Sequence, residues 1–81
     1  MNVKVVFFAS LRDVVGVSEM QTQARDLPAL MKVLKEKLST EAYEALVAEN
    51  VRVAVNQTLL AETLDFAEND EVAFLPPVTG G

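Results

Sequence analysis

Hydrophobic positions along the chain change period several times, and the changes mark the elements. Residues 3–9 read VKVVFFA, apolar at both parities from Val5 to Phe8. That density of β-branched and aromatic side chains predicts a central strand. Residues 10–18, SLRDVVGVS, contain Asp13 and Gly16 and predict a hairpin loop. Residues 19–24, EMQTQA, form a more polar strand suited to a sheet edge. Leu27, Leu30, Met31, Leu34 and Leu38 then recur at offsets of three and four, the stripe of an amphipathic helix. Asp26 is placed to cap it, and Pro28 falls in its first turn, where a missing N–H does no harm. A second short helix is predicted after Thr40, with Ala42, Tyr43, Leu46 and Val47 on one side. Residues 51–55, VRVAV, alternate as a strand, with a turn at Asn56 and Gln57. Residues 58–60 suggest a short strand. After a connecting segment and a turn at residues 68–70, EVAFL at 71–75 is the last strand, stopped by Pro76.

The order ββαββ, with room for an extra short strand or helix, predicts an α+β domain with one mixed sheet and its main helix on one face. The first and last strands are the most apolar, so they belong side by side at the centre, in parallel. That order also lets the helix crossover be right-handed. This is the ubiquitin-like β-grasp arrangement, predicted over residues 1–75, with 76–81 as an extended tail.

Strand parity assigns the faces. Lys4 must point away from the helix, and Val6 and Phe8 with it, leaving Val3, Val5 and Phe7 for the core. Glu71, Ala73 and Leu75 likewise point away, and Val72 and Phe74 point inward. Phe8 and Leu75 are thus expected to share the helix-free face with Val6 and Ala73, extended by Leu59 or Leu60. A contiguous apolar patch on a small domain marks a partner surface. The competing expectation is that the second helix or a loop covers it.

Composition narrows the chemistry. The 81 residues carry 12 acidic and 7 basic side chains, for a net charge of −5. That disfavours nucleic acid, which is held through clustered Lys and Arg. No run of about 18 apolar residues is present to span a membrane. The absence of Cys fits a cytoplasmic setting. With neither His nor Cys, the usual nucleophile–base pairs are missing. Gly16 stands alone, so there is no phosphate-cradling loop. The acidic run 68–71 lacks the alternating oxygen ligands and central Gly of a calcium loop, and reads as a turn, not a metal site. Tyr43 lies on an apolar stripe and reads as packing. No internal active site is indicated.

The tail PPVTGG remains, and it holds two of the chain's 3 glycines. A terminal carboxylate, ionised at neutral pH, is a nucleophile for an activated phosphate. Glycine without Cβ passes a narrow channel and adopts angles closed to other residues. Pro76 and Pro77 favour an extended lead. Residues 76–81 reach roughly 20 Å at about 3.3–3.6 Å each. The bland alternative is a frayed terminus.

Three stretches, VKVVFFASLRDVVG, AVNQTLL and NDEVAFLPPVTGG, together resemble the small, sulfur-carrying subunit family of molybdopterin synthase. Two departures are mild. Asn69 stands where many members have Gly, and Leu75 where many have an aromatic. The resemblance implies that an adenylating enzyme, using ATP, activates the carboxylate of Gly81, and that sulfur then makes it a thiocarboxylate. It implies that the tail enters the large catalytic subunit and gives sulfur to cyclic pyranopterin monophosphate, two rounds building a dithiolene. Pro76, Pro77, Val78, Thr79 and Gly80 would line the channel. Phe8, Leu59 and Leu75 would dock, with Arg12 nearby. The chain would be no enzyme alone and bind no cofactor itself, serving as the carrier of a heterotetramer. Three other functions stay open: a sulfur carrier for thiamine thiazole synthesis, a protein-conjugating modifier, and an interaction domain with an idle tail.

Overall fold

The computed structural model of the chain describes residues 1–56 and 65–76, and the backbone of residues 58–59. Five strands form one sheet: β1 (Asn2–Phe7), β2 (Glu19–Gln23), β3 (Arg52–Val55), β4 (Thr58–Leu59) and β5 (Asp70–Leu75). Three helices accompany them: α1 (Ala9–Val15), α2 (Leu27–Lys37) and α3 (Thr40–Leu46). The strand order is β2-β1-β5-β3-β4. β1 and β5 pair in parallel from Val3↔Asp70 to Phe7↔Phe74, with β2 and β3 antiparallel on their flanks. The two most apolar strands therefore occupy the centre and polar β2 the edge. This is the β-grasp architecture.

The parity argument holds on the core side. Val5, Val72, Phe74, Leu30 and Leu34 are fully buried, and Val3 and Phe7 nearly so. The rings of Phe7 and Phe74 stack with centroids 5.9 Å apart. α2 starts where the side chain of Asp26 accepts a hydrogen bond from the Ala29 N–H at 3.0 Å. α3 starts one residue earlier than expected, because Ser39 Oγ accepts from the Ala42 N–H at 3.1 Å. Both are ordinary N-caps. Ala42 and Leu46 are buried. Tyr43 packs against the core, with Lys35 Nζ 6.0 Å from its ring centroid. Val47, expected on that apolar side, caps the helix and is exposed.

The segment read as a hairpin loop, residues 10–18, is instead mostly α1. Gly16 serves as its stop rather than as a hairpin turn. At φ 95° it donates its N–H to the Arg12 carbonyl at 2.8 Å, a left-handed helix end that glycine fits without strain. Leu11 is the one residue of α1 that is buried, and it joins the core cluster together with Leu46 of α3. Both helices thus pack on the same side of the sheet as α2, and α3 does not cover the opposite face.

The acidic turn is built into the framework. Glu68 accepts from the Asn2 N–H at 2.9 Å and from the Asn2 side-chain amide at 2.8 Å, tying the turn to the start of β1. Asp70 accepts from the Ala67 N–H at 2.8 Å and from Asn56 Nδ2 at 2.9 Å. Asn56 and Asn69 take left-handed φ of 51° and 68°, angles that asparagine tolerates better than most residues.

Candidate functional site

The site forms at the end of the sheet where β1 and β5 both finish. Because the two strands run in parallel, Phe8 and Leu75 leave the ladder together. The Phe8 N–H donates to the Phe74 carbonyl at 3.2 Å, and the Phe8 carbonyl accepts from the Leu11 N–H at 3.1 Å. Pro76 follows Leu75 directly, and with no N–H it cannot extend the ladder. The chain therefore leaves the body beside Phe8.

Phe8 occupies an unusual place. β1 ends at Phe7, so Phe8 is the N-cap of α1 rather than a strand residue, and its side chain makes no capping hydrogen bond. A Ser, Thr, Asp or Asn here would add about 1 kcal/mol. The next residue, Ala9, has a φ of 50°, a left-handed angle that costs a residue with a Cβ about 1–2 kcal/mol. Both penalties accompany a ring that is 44% exposed. Stability is given up where an aromatic ring faces solvent, a pattern of functional surfaces.

Around Phe8 the helix-free face forms a shallow depression lined by Lys4, Val6, Arg12, Glu19 and Glu71. Arg12 projects from exposed α1 beside it. Val6 and Leu75 are half-buried. Ala73, expected to contribute open apolar surface, is only 5% exposed. It sits between Val6 and Ala54 on the neighbouring strands, and Ala54 is itself only 5% exposed. The apolar patch is thus narrower than expected and centred on Phe8. Farther along the face, Lys4 Nζ lies 3.0 Å from Glu19 Oε2. That hydrogen bond, then the charges of Glu19 and Glu71, holds the lysine pKa above its ordinary value.

The remaining expected site residues fall elsewhere. The backbone of Leu59 pairs with Ala54 in the β3–β4 ladder, and its side chain is outside the described residues. So are Leu60, Pro77, Val78, Thr79, Gly80 and Gly81. One residue that sequence reasoning passed over is Arg52. It pairs with Leu75 on the far side of the strand that leads out, and it is exposed. The alternation of VRVAV carried the signal, since it puts Arg52 and Ala54 on one face. Among the described residues no group of three or more His, Cys, Asp or Glu is placed to hold a metal ion, and no helix is long and apolar enough to cross a membrane.

Comparison with known proteins adds to this geometry. Residues 5–81 match the ThiS family. The molybdopterin synthase sulfur carrier subunit of Escherichia coli is 38% identical over 81 residues, covering 98% of this chain and 99% of that protein. Its Haemophilus influenzae counterpart is 38% identical over 80 residues, covering 95% and 96%. Among solved structures, a chain from the complex of subunits 1 and 2 of molybdopterin-converting factor from Helicobacter pylori superposes with a TM-score of 0.75. It is 26% identical, with all of both chains covered. The chain belongs to the ThiS family of β-grasp proteins, and over nearly its whole length it is similar to the sulfur carrier subunits of molybdopterin synthase.

Proposed function

We propose that this chain is the sulfur carrier of a molybdopterin synthase, with a β-grasp body of residues 1–75 that presents the tail 76–81. One observation carries the reading: the parallel pairing of β1 with β5 sends the chain out through Pro76 next to the exposed ring of Phe8. A partner that grips the Phe8 face then receives whatever follows Pro76. The full-length similarity to sulfur carrier subunits supports the cargo, and the match of the family through residue 81 supports the tail as part of the shared unit.

In this mechanism the carboxylate of Gly81 attacks the α-phosphate of ATP within an adenylating partner, and pyrophosphate leaves. A sulfide equivalent from a sulfur donor displaces AMP, exchanging one carboxylate oxygen for sulfur. The body docks through Phe8, Leu59 and Leu75, with Arg12 alongside, on the large catalytic subunit. Pro76 to Gly80 thread its channel. The thiocarboxylate gives its sulfur to cyclic pyranopterin monophosphate, and water restores the carboxylate of Gly81. This chain supplies no acid, base or cofactor. Its contributions are position, slimness and a stiff lead that lowers the entropy lost on insertion. The setting is cytoplasmic, and the assembled enzyme pairs two carriers with a dimer of large subunits.

Mass spectrometry tests this on protein produced with its activating enzyme and a sulfur source. The expected product has one oxygen exchanged for sulfur at Gly81. An unmodified tail under conditions where the activating enzyme consumes ATP refutes the proposal. Deleting Gly81 should abolish sulfur transfer and leave the thermal melt in place. In deletion strains the gene should restore molybdoenzyme activity; restoring thiamine prototrophy instead would assign it to the other carrier pathway.

A further inference from the structure

Charge is not spread evenly on the helix-free face. Lys4, midway along β1, is neutralised by its 3.0 Å pair with Glu19 and by the nearby charge of Glu71, carboxylates that line the same depression as Arg12. At the tail end stand Arg12 and Arg52. Both are exposed, and neither has a carboxylate within ion-pair distance among the described residues. They flank the exit, Arg12 beyond the end of β1 and Arg52 on β3, with β5 between them. Adjacent strands lie about 4.8 Å apart, so β1 and β3 are separated by roughly 10 Å at this end. An acidic chain with 12 carboxylates and 7 cations thus places two guanidiniums astride the root of its tail.

We propose that Arg52 is a specificity-determining residue of the docking surface, acting with Arg12 to recognise a partner face whose carboxylates flank the mouth of the tail channel. The inference rests on the docking role of the Phe8 face given above and names the chemistry of its occupant. An arginine fork suits carboxylates. At the solvent-exposed rim of an interface, such charges govern encounter rate and choice of partner more than residence time. Arg52 then aligns the tail with the channel before Phe8 is buried.

Association and dissociation rates of the full-length chain with the large subunit from the same organism test this, measured across ionic strength. Arg52→Glu should slow association about fivefold to tenfold at low salt, with the gap closing as salt rises and dissociation little changed. Lys32→Glu makes the same change in net charge on the exposed side of α2, away from the face, and should have a much smaller effect. Arg52→Gln should fall between wild type and Arg52→Glu, with an unchanged melt. Equal rates for Arg52→Glu and Lys32→Glu overturn the assignment, as does faster association of Arg52→Glu. Phe8→Ala separates the two levels. If it dissociates faster while Arg52→Glu behaves like Lys32→Glu, the docking surface stands and the role of Arg52 falls. If Phe8→Ala binds like wild type, the docking surface itself is wrong.

Discussion

The adjacent phenylalanines where β1 ends and α1 begins should lose very different amounts of stability to the same truncation. Phe7 is 2% exposed and stacks on Phe74; Phe8 is 44% exposed and caps α1. Phe7→Ala removes a full ring from the core and leaves a cavity, a loss of about 3–5 kcal/mol. A domain of this size is stable by about 4–12 kcal/mol, taking 0.05–0.15 kcal/mol per residue. The variant therefore loses between a quarter and all of its stability. At about 4–8 °C per kcal/mol its melting temperature drops by at least about 12 °C. Phe8→Ala forfeits only half a ring of burial at a surface position, so its cost stays within about 1 kcal/mol. Urea titrations followed by circular dichroism, compared at equal m-value, measure both. If Phe7→Ala does not fold, Phe7→Leu supplies the comparison at about 1–3 kcal/mol. An equal or larger loss for Phe8→Ala would refute the face assignment on which the site depends.

Two further predictions concern the framework. Gly16→Ala should cost about 1–2 kcal/mol through backbone strain alone, because an added Cβ there meets nothing within 4 Å. Gly16→Asn should recover part of that loss in the same titration, and a neutral Gly16→Ala would contradict the left-handed helix end. Glu68 is held below its ordinary carboxylate pKa by the Asn2 N–H and then by the Asn2 side chain. A pKa lowered on folding adds stability above the unfolded value of 4.5, lost as pH falls through the folded value. Glu68→Gln should therefore flatten the acid limb of a stability–pH profile, and an unchanged limb would show the contact to be idle.

Much of this was legible in the sequence because strand parity is a strong constraint once one residue must face water. Lys4 and Glu71 oriented the two central strands, and Val3, Val5, Phe7, Val72 and Phe74 followed. α1 was not legible for a physical reason. Seven residues with a single buried side chain, Leu11, give no period to detect, and Gly16 ends helices as readily as it makes turns. Ala73 misled because face and exposure differ: a short side chain between Val6 and Ala54 lies on an open face yet touches little solvent. Arg52 was overlooked because one charged residue in an alternating strand usually marks only the wet side. The role proposed for it arises from β5 lying beside it, a neighbour that only the fold supplies.

The pairing of Val3 with Asp70 joins residues 67 positions apart. Closing that loop costs on the order of 4 kcal/mol before any core contact compensates, and such long-range pairing makes folding slow. Phe8 and Pro76 become neighbours only once this closure is complete. If the proposed docking holds, a partly folded chain has no docking end to offer, so a partner that reads Phe8 and the tail together also inspects the carrier, passing over chains whose two central strands have not yet met.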